Sequence, residues 1–242
     1  MKTLLEWLGF GKHELIVENR NYFKTFDRNK PLEDYEYVVL DTELTSLDPK
    51  HGEVVSIGAV KVKNLRIMMG GAFCCYARPS RPLPKDSTLI HRITPQQIEN
   101  APPLEEILPD FIEYCRGAVL VGHFLKIDLT FLGKALKKHF RGTLSNVWLD
   151  TLKLAQSYEE YKRRHVYSDD PVENSFNLNK LAVKYSLPLF EKHDALEDAI
   201  QTAYLFVYLA HKLKTTGCVT LKDLMVSQSN AALPSDQGYS TA

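Results

Sequence analysis

The chain has 242 residues, and its 30 Lys and Arg residues balance its 30 Asp and Glu residues, so its formal net charge is zero. That balance argues against a protein that coats long stretches of nucleic acid, which would need a basic excess, but not against one that binds a short piece. Apolar residues make up 44% and charged residues 25% of the chain. This is the composition of an ordinary globular protein, so global disorder is not expected.

The order of residues along the chain also argues against a membrane or secreted protein. No run of about 18 apolar residues occurs, so no membrane-spanning helix is expected, and Glu6 interrupts the short apolar start, so no signal peptide is expected. The four cysteines form no C-x-x-C pair, and Cys74 and Cys75 are neighbours. Such cysteines are typical of free thiols in a reducing compartment, and we expect a cytoplasmic protein with no membrane partner.

The first 35 residues predict an N-terminal extension to the main domain. Leu4, Leu5 and Leu8 could line a short helix, and we expect the extension to pack on the main domain or on a partner. Three apolar runs follow at residues 37–40, 54–62 and 72–77. The short turn-forming segments between them favour antiparallel pairing of three strands.

Strands and helices then alternate along the chain. Apolar runs predict strands at 118–121 and 146–149, and Thr94 followed by Pro95 predicts a helix start. Helical spacing of apolar residues predicts helices at 104–112, 129–140, 150–164, 177–185 and 194–213. This order predicts an α/β fold with a mixed sheet in one domain at 36–213. Residues 214–242 are expected to form a tail that is disordered from about Val226.

Two acidic residues stand at the end of the first predicted strand. Asp41 and Glu43 are separated by one residue, so both side chains point to the same side of a strand. Carboxylates that close raise each other's pKa unless a cation lies between them, and a hard divalent metal with oxygen ligands is the simplest such cation. The alternative is a turn-forming Asp beside a solvated Glu.

Further along the chain, Asp128 and Asp198 are two more candidate ligands. Asp128 stands where a helix begins, so helix capping alone would explain it. Asp194 and Glu197 fit a capping box at the start of the long helix. Asp198 has no such explanation, because it lies toward the apolar side of that helix, where an unpaired carboxylate is costly. His193 stands five residues before Asp198.

The order of these motifs resembles the DnaQ-like (DEDDh) 3′–5′ exonuclease family, which includes the proofreading epsilon subunit of bacterial DNA polymerase III. The resemblance also covers residues 91–94 with 101–102, residues 149–155 and residues 177–182, which look like the family's His-Gly-Ile-Thr…Ala-Pro, Asp-Thr-x-x-Leu-Ala and His-x-Leu-x-x-Leu-Ala stretches. It implies a ribonuclease H-like mixed β-sheet flanked by helices.

The resemblance also implies a reaction and its residues. The reaction is hydrolysis of phosphodiester bonds at the 3′ end of single-stranded nucleic acid, with DNA preferred and nucleoside 5′-monophosphates released. Two divalent cations, Mg²⁺ or Mn²⁺, would be held by four acids, with His193 as the general base. These four acids are Asp41, Glu43, Asp128 and Asp198.

The substrate pocket departs from the family pattern. The usual Asp-Thr-Glu-Thr-Thr-Gly reads Asp-Thr-Glu-Leu-Thr-Ser here, and the usual His-Asn-x-x-Phe-Asp reads His-Phe-Leu-Lys-Ile-Asp. The residues expected to bind substrate are Thr42, Leu44, His123 and Phe124. Leu44 could wedge against the terminal base. Phe124 could stack on that base, but we favour core packing, which is typical of an aromatic residue at an apolar strand end.

A basic stripe follows Asp128 on the same predicted helix, and it consists of Lys134, Lys137, Lys138 and Arg141. A solvated helix face is the simpler interpretation. The functional interpretation is a track for the substrate backbone, with contacts from Lys134 and Lys138.

Two other functions remain open from the sequence. One is an RNA 3′-end trimming enzyme similar to ribonuclease T or oligoribonuclease, because the ribose contact that would decide the substrate is not visible in the sequence. The other is a non-catalytic polymerase-associated subunit, which the five intact catalytic positions argue against. The candidate partners are the 3′ ends of single-stranded DNA or RNA and a DNA polymerase subunit.

Overall fold

The computed structural model describes residues 10–165, 175–190 and 194–231. Its five strands are β1 Glu36–Leu44, β2 Val54–Lys63, β3 Arg66–Tyr76, β4 Val119–Gly122 and β5 Trp148–Asp150. The helices before β4 are α1 Phe10–Lys24, α2 Lys85–His91, α3 Pro95–Ile98 and α4 Leu104–Tyr114, with a 3₁₀ turn at Leu32–Asp34. The helices after β4 are α5 Lys126–Phe140, α6 Thr151–His165, α7 Leu178–Lys184, α8 Ala195–Lys214 and α9 Leu221–Asn230.

The strands form one mixed sheet in the order β3-β2-β1-β4-β5. β1 pairs with β2 in antiparallel orientation, as β2 does with β3, whereas β4 is parallel to β1 and β5 is parallel to β4. The antiparallel half follows from the short turns, and the parallel half needs the helical crossovers that the chain supplies after β3 and β4. The expected α/β architecture is confirmed.

β1 is buried on both faces of the sheet, as its apolar run predicts. Tyr37 and Val39 belong to a core cluster on one face, where the Tyr37 ring lies 4.7 Å from that of Phe206 in α8. Val38 and Leu40 belong to the core cluster on the opposite face, which includes residues of α4 and α5. This double burial fixes the register of β1 and therefore the direction in which the side chains after Leu40 point.

The N-terminal helix α1 packs on the second of these clusters. Ile16 is buried there, and the Asn19 amide nitrogen donates to the side-chain oxygen of Asn146 at 2.7 Å. Leu4, Leu5 and Leu8 lie outside the described residues. α1 is therefore bound to the main domain by both apolar and polar contacts.

The C-terminal helix α9 was not predicted. Thr220 and Asp223 form a capping box at its start, and Leu221 and Leu224 are buried against the core. The Gln228 amide accepts from the backbone N–H of Asp150 at 3.0 Å and donates to the carbonyl of Trp148 at 3.1 Å. The expectation of disorder from about Val226 is therefore wrong for residues 226–230, and residues 232–242 lie outside the described part.

Among the described residues, no helix is both long enough and apolar enough to cross a membrane.

Candidate active site

β1 carries two acidic side chains beyond its apolar run. Asp41 lies opposite Gly58 of β2 in the antiparallel ladder, and Glu43 lies opposite Ser56. The register shifts between Glu43 and Leu44, which ends the regular pairing just after the second acid. Two carboxylates therefore share one side of the strand at its carboxyl end, as the sequence predicts.

The N-terminus of α8 approaches this end of the sheet closely. Asp194 is the N-cap residue, and its carboxylate accepts from the backbone N–H groups of Leu196 and Glu197. A Cβ atom on Gly58 would lie 2.2 Å from the carbonyl carbon of Ala195, so only glycine permits the contact. Because Gly58 is paired with Asp41, this contact places the first turn of α8, with Asp198, beside β1.

The structure brings three of the predicted acids into one group. Side-chain oxygens of Asp41, Glu43 and Asp198 all lie within 4.8 Å of one another. Glu43 is buried, whereas Asp41 and Asp198 are partly exposed. The proposed metal ligands thus meet although they are up to 157 positions apart in the numbering, from Asp41 to Asp198.

Asp128 joins the group through Thr42 and is buried in the first turn of α5. Its Oδ1 accepts from the backbone N–H of Thr42 at 3.0 Å and from the Thr42 hydroxyl at 2.6 Å. The residue at the N-cap position of α5 is Leu125, so helix capping does not account for Asp128. Thr42 lies between Asp41 and Glu43 and holds the carboxylate beside them.

The acids repel each other in a poorly solvated site. Burial and the neighbouring carboxylate of Asp128 raise the pKa of Asp41 well above its ordinary value. Burial and Asp198 raise the pKa of Glu43 to about 8. Burial also raises the pKa of Asp128, although the hydrogen bonds from Thr42 oppose the shift. Ionising all of these groups together therefore requires a compensating cation.

The donor set fits a hard divalent cation. The clustered ligand atoms are carboxylate oxygens, which are the donors that Mg²⁺ and Mn²⁺ take in proteins. A bound cation would lower the raised pKa values and hold the carboxylates ionised. The acids of the cluster are therefore the residues that could hold a metal ion.

His123 lies at the end of β4 with both ring nitrogens engaged within the chain. Nε2 lies 2.9 Å from the carbonyl oxygen of Phe176, and Nδ1 lies 2.8 Å from the Thr151 hydroxyl. Burial lowers the pKa of His123 to about 4, so the ring is neutral. Nε2 then donates to the carbonyl, and Nδ1 accepts from Thr151.

Phe124 does not pack in the core, and that prediction is wrong. Its side chain is 39% exposed, and its φ of 56° places it in the left-handed region. Its backbone N–H donates to Oδ1 of Asp150 at 3.1 Å. The family pattern has Asn at this position, and Asn tolerates left-handed backbone far better than an aromatic residue does. The turn conformation therefore points the ring outward.

Asp150 is a residue whose contribution the sequence analysis missed. Burial raises its pKa to about 6, and backbone hydrogen bonds from Leu152 and Phe124 oppose that shift. The carboxylate thus links the end of β5, the start of α6 and the turn after β4. Its position directly after a predicted strand, before Thr151, is the signal that could have identified it.

The other predicted substrate residues are placed as follows. Leu44 packs partly against the core. Lys134 is exposed, but its ammonium group donates to the carbonyl oxygens of Lys50 at 3.0 Å and Gly52 at 3.3 Å. Lys134 therefore holds the β1–β2 loop and is not simply a solvated residue, whereas Lys138 is exposed. His193 lies outside the described residues.

Comparison with known proteins decides the family. The model of the exonuclease family named for RNase T matches residues 38–206, a range that holds all four acids and His193. The chain belongs to this exonuclease family. It is therefore a nuclease, and the resemblance drawn from its motifs is confirmed. Membership of this family argues against the interpretation as a non-catalytic subunit.

Exonuclease-family relatives include much longer proteins. DNA polymerase III of PolC type from Caldanaerobacter subterraneus subsp. tengcongensis is 34% identical over 189 residues, which cover 78% of this chain and 12% of that protein. The chain spans 12–14% of the length of the curated PolC-type relatives that it matches.

Solved structures share the fold of this exonuclease domain. Exonuclease X in complex with 5′ overhanging duplex DNA superposes with a TM-score of 0.57 and 22% identity, covering 79% of this chain and 99% of that one. Escherichia coli exonuclease I in complex with a dT13 oligonucleotide superposes with a TM-score of 0.64 and 14% identity, covering 76% of this chain and 42% of that one. The ribonuclease H-like fold is thereby confirmed.

Proposed function

We propose that the chain is a metal-dependent 3′–5′ exonuclease that acts on single-stranded nucleic acid ends, prefers DNA and releases nucleoside 5′-monophosphates. The observation that carries this proposal is the group of carboxylates from Asp41, Glu43 and Asp198, with oxygens within 4.8 Å of one another, in a member of the exonuclease family. The DNA oligonucleotide in the exonuclease I structure supports the choice of DNA.

Asp41, Glu43, Asp128 and Asp198 would hold two divalent cations, Mg²⁺ or Mn²⁺. When bound, such a pair stabilises the attacking and leaving oxygens of an in-line displacement at phosphorus. The four carboxylates carry four negative charges, so two divalent cations would neutralise the site and let a phosphate enter.

The chain's own residues would orient a metal ligand and take the proton from the attacking water. Thr42 fixes the carboxylate of Asp128 through two hydrogen bonds, so that ligand does not have to be ordered when substrate binds. His193 directly precedes Asp194, the N-cap of α8. We propose, on the family pattern, that His193 takes the proton from the attacking water, because imidazole titrates near neutral pH.

Digestion of 5′-labelled oligonucleotides tests direction, metal and substrate together. DNA and RNA of one sequence are incubated with Mg²⁺, Mn²⁺ or EDTA. Digestion from the 3′ end leaves a ladder of shortened labelled products, whereas digestion from the 5′ end releases a labelled mononucleotide first. We expect a ladder with metal, none in EDTA, faster loss of DNA, and 5′-monophosphates by chromatography.

Matched variants tie that activity to the site. Asp198→Asn should abolish the ladder, and Asp110→Asn, on the exposed surface of α4, should leave it intact. The absence of a ladder on both substrates would contradict the exonuclease proposal, and a ladder in EDTA would contradict metal dependence. Faster digestion of RNA would favour the RNA-trimming alternative.

The PolC-type relatives support a polymerase partner, because they are themselves DNA polymerases that contain a segment similar to this chain. We propose that this chain binds a DNA polymerase subunit. The full-length tagged chain should co-purify with a replicative polymerase from native extract. Recovery of the chain without a polymerase would contradict this partner and leave the nuclease proposal standing.

A further inference from the structure

Phe124 is an exposed aromatic residue held in an unfavourable backbone conformation. Its φ is 56°, and 39% of the residue is accessible to solvent. Bulky residues are uncommon in the left-handed region, and such conformations persist only where the surroundings enforce them. More than a third of the residue is exposed, so core packing does not explain its position.

The contacts that hold the Phe124 turn in this conformation come from Asp150 and His123. The Phe124 N–H and the Leu152 N–H both donate to Oδ1 of buried Asp150, at 3.1 and 3.0 Å. The His123 ring meets the Phe124 ring edge-on, with centroids 5.1 Å apart. Since both nitrogens of His123 are bonded within the chain, this neighbour is itself fixed. The aromatic ring is therefore preorganised.

The turn that carries Phe124 leads directly to the acidic cluster. The Phe124 carbonyl accepts from Ile127 N–H at 2.9 Å, and the next residue is Asp128, which is bonded to Thr42 of β1. β4, whose end holds the turn, is the parallel neighbour of β1. The exposed ring thus stands at the same carboxyl edge of the sheet as the acids, where ligands of open α/β sheets bind.

We propose that Phe124 is a stacking platform for the terminal base of the substrate, so that the preferred substrate is an unpaired 3′ end that carries its base. This inference rests on the proposed function. Aromatic side chains that stack on bases recur in proteins that bind single strands, because every base offers a flat face. A ring that is already fixed loses little conformational entropy when a base stacks on it.

Kinetics on a pair of substrates tests the inference. Single-stranded DNA with a normal 3′-terminal nucleotide is compared with the same strand carrying an abasic terminal nucleotide. Base stacking contributes about 1–3 kcal/mol, which corresponds to about 5- to 150-fold in kcat/KM. We expect the wild-type chain to prefer the normal end by a factor in that range. Phe124→Ala should remove most of that preference, and Phe124→Tyr should retain it.

The controls separate stacking from structural damage. Tyr22→Ala removes another exposed aromatic ring, on α1, and should leave the preference unchanged. Phe124→Leu keeps apolar volume without an aromatic face and should behave like Phe124→Ala. An equal loss on both substrates, or an unchanged preference in Phe124→Ala, would overturn the inference. A wild-type chain that cleaves neither substrate would overturn the proposed function instead.

Discussion

The Thr42 hydroxyl lies 2.6 Å from Oδ1 of Asp128, and the Thr42 backbone N–H lies 3.0 Å from the same atom. One residue of β1 thereby fixes a carboxylate of α5 that is 86 positions away in the sequence. Because Thr42 stands between Asp41 and Glu43, a single short segment supplies two acids of the site and orients a third.

Thr42→Val should weaken metal binding without removing any ligand. Valine keeps the β-branched shape and the backbone N–H but loses the hydroxyl bond to Asp128. Loss of a hydrogen-bond partner behind a metal ligand costs about 10- to 100-fold in metal affinity or activity. Titration of activity against Mg²⁺ measures the effect. Thr42→Ser keeps the hydroxyl and should stay near wild type, and a Thr42→Val chain with unchanged metal dependence would contradict the role of this bond.

Asp41→Asn should abolish cleavage and raise the melting temperature of the metal-free protein. Burial and the surrounding carboxylates disfavour a charge at position 41, and the amide removes that charge at similar volume. Thermal unfolding in EDTA measures the change. Asp110→Asn, at an exposed position of α4, serves as the control with little change. A marked loss of stability in Asp41→Asn would argue that the carboxylate supports the fold.

The metal-free protein should lose stability as the pH rises through the window set by Glu43. The pKa of this group is raised from 4.5 to about 8 in the folded chain, so the folded state binds a proton that the unfolded state has released. This contribution to the free energy of unfolding is complete below the pKa of the unfolded state, 4.5, and it is lost as the pH rises to the pKa of the folded state, about 8. Urea unfolding in EDTA across this window measures it.

Glu43→Gln should reduce that slope because the amide does not titrate, and Glu99→Gln, at an exposed position, should keep it. A free energy of unfolding that is constant over the window in the wild-type chain would contradict the raised pKa.

Mg²⁺ or Mn²⁺ should raise the melting temperature by binding the folded state alone. At a concentration 100 times the dissociation constant, such binding stabilises a protein by about 2.7 kcal/mol. Differential scanning fluorimetry with metal and then with EDTA measures the shift and its reversal. Asp198→Asn should shift less than the wild type. An unchanged melting curve at saturating metal would count against a preformed site.

Gly58→Ala should separate α8 from the sheet and lower activity. The added Cβ would lie 2.2 Å from both Ala195 C and Leu196 N, which are backbone atoms and cannot rotate away. Overpacking of this kind costs about 1–3 kcal/mol, and the displaced helix carries Asp198. Activity and the metal-induced thermal shift should both fall.

Gly133→Ala is the matched control, since its Cβ would meet Thr143 Cγ2 at an ordinary 3.6 Å. Wild-type activity in Gly58→Ala would show that α8 can shift without disturbing the acids.

The sequence predicts most of the sheet and the placement of the acids for identifiable reasons. Asp41 and Glu43 follow an apolar run, so strand periodicity alone puts them on one side. Asp198 is a candidate because it lies toward the apolar side of its helix and the capping box of Asp194 and Glu197 does not explain it. Asp128 is different, because the sequence allows a helix cap, and the structure rules this out by placing Leu125 at the N-cap position and the Asp128 carboxylate against Thr42.

The wrong prediction at Phe124 and the unpredicted contact of Lys134 both arise where tertiary contacts override local preference. Phe124 follows an apolar strand, which favours burial, but the Asp150 carboxylate holds its backbone in the left-handed region. Lys134 lies on an exposed helix face, but its long side chain reaches carbonyl groups of a loop more than 80 positions away. Such partners have no local sequence signal.

At the outer edge of β5, the Gln228 side chain accepts from the backbone N–H of Asp150 and donates to the carbonyl of Trp148. These are bonds that a sixth strand would otherwise make. The same side chain holds the backbone of Asp150, whose carboxylate shapes the turn at Phe124. The end of α9 is thus linked to the turn at Phe124 through hydrogen bonds of two side chains, Gln228 and Asp150. A chain shortened to Leu213 would keep every residue matched by the family model. It would also lose Gln228, which would leave backbone groups of β5 unpaired and open to association with other strands, and it would loosen the turn at Phe124.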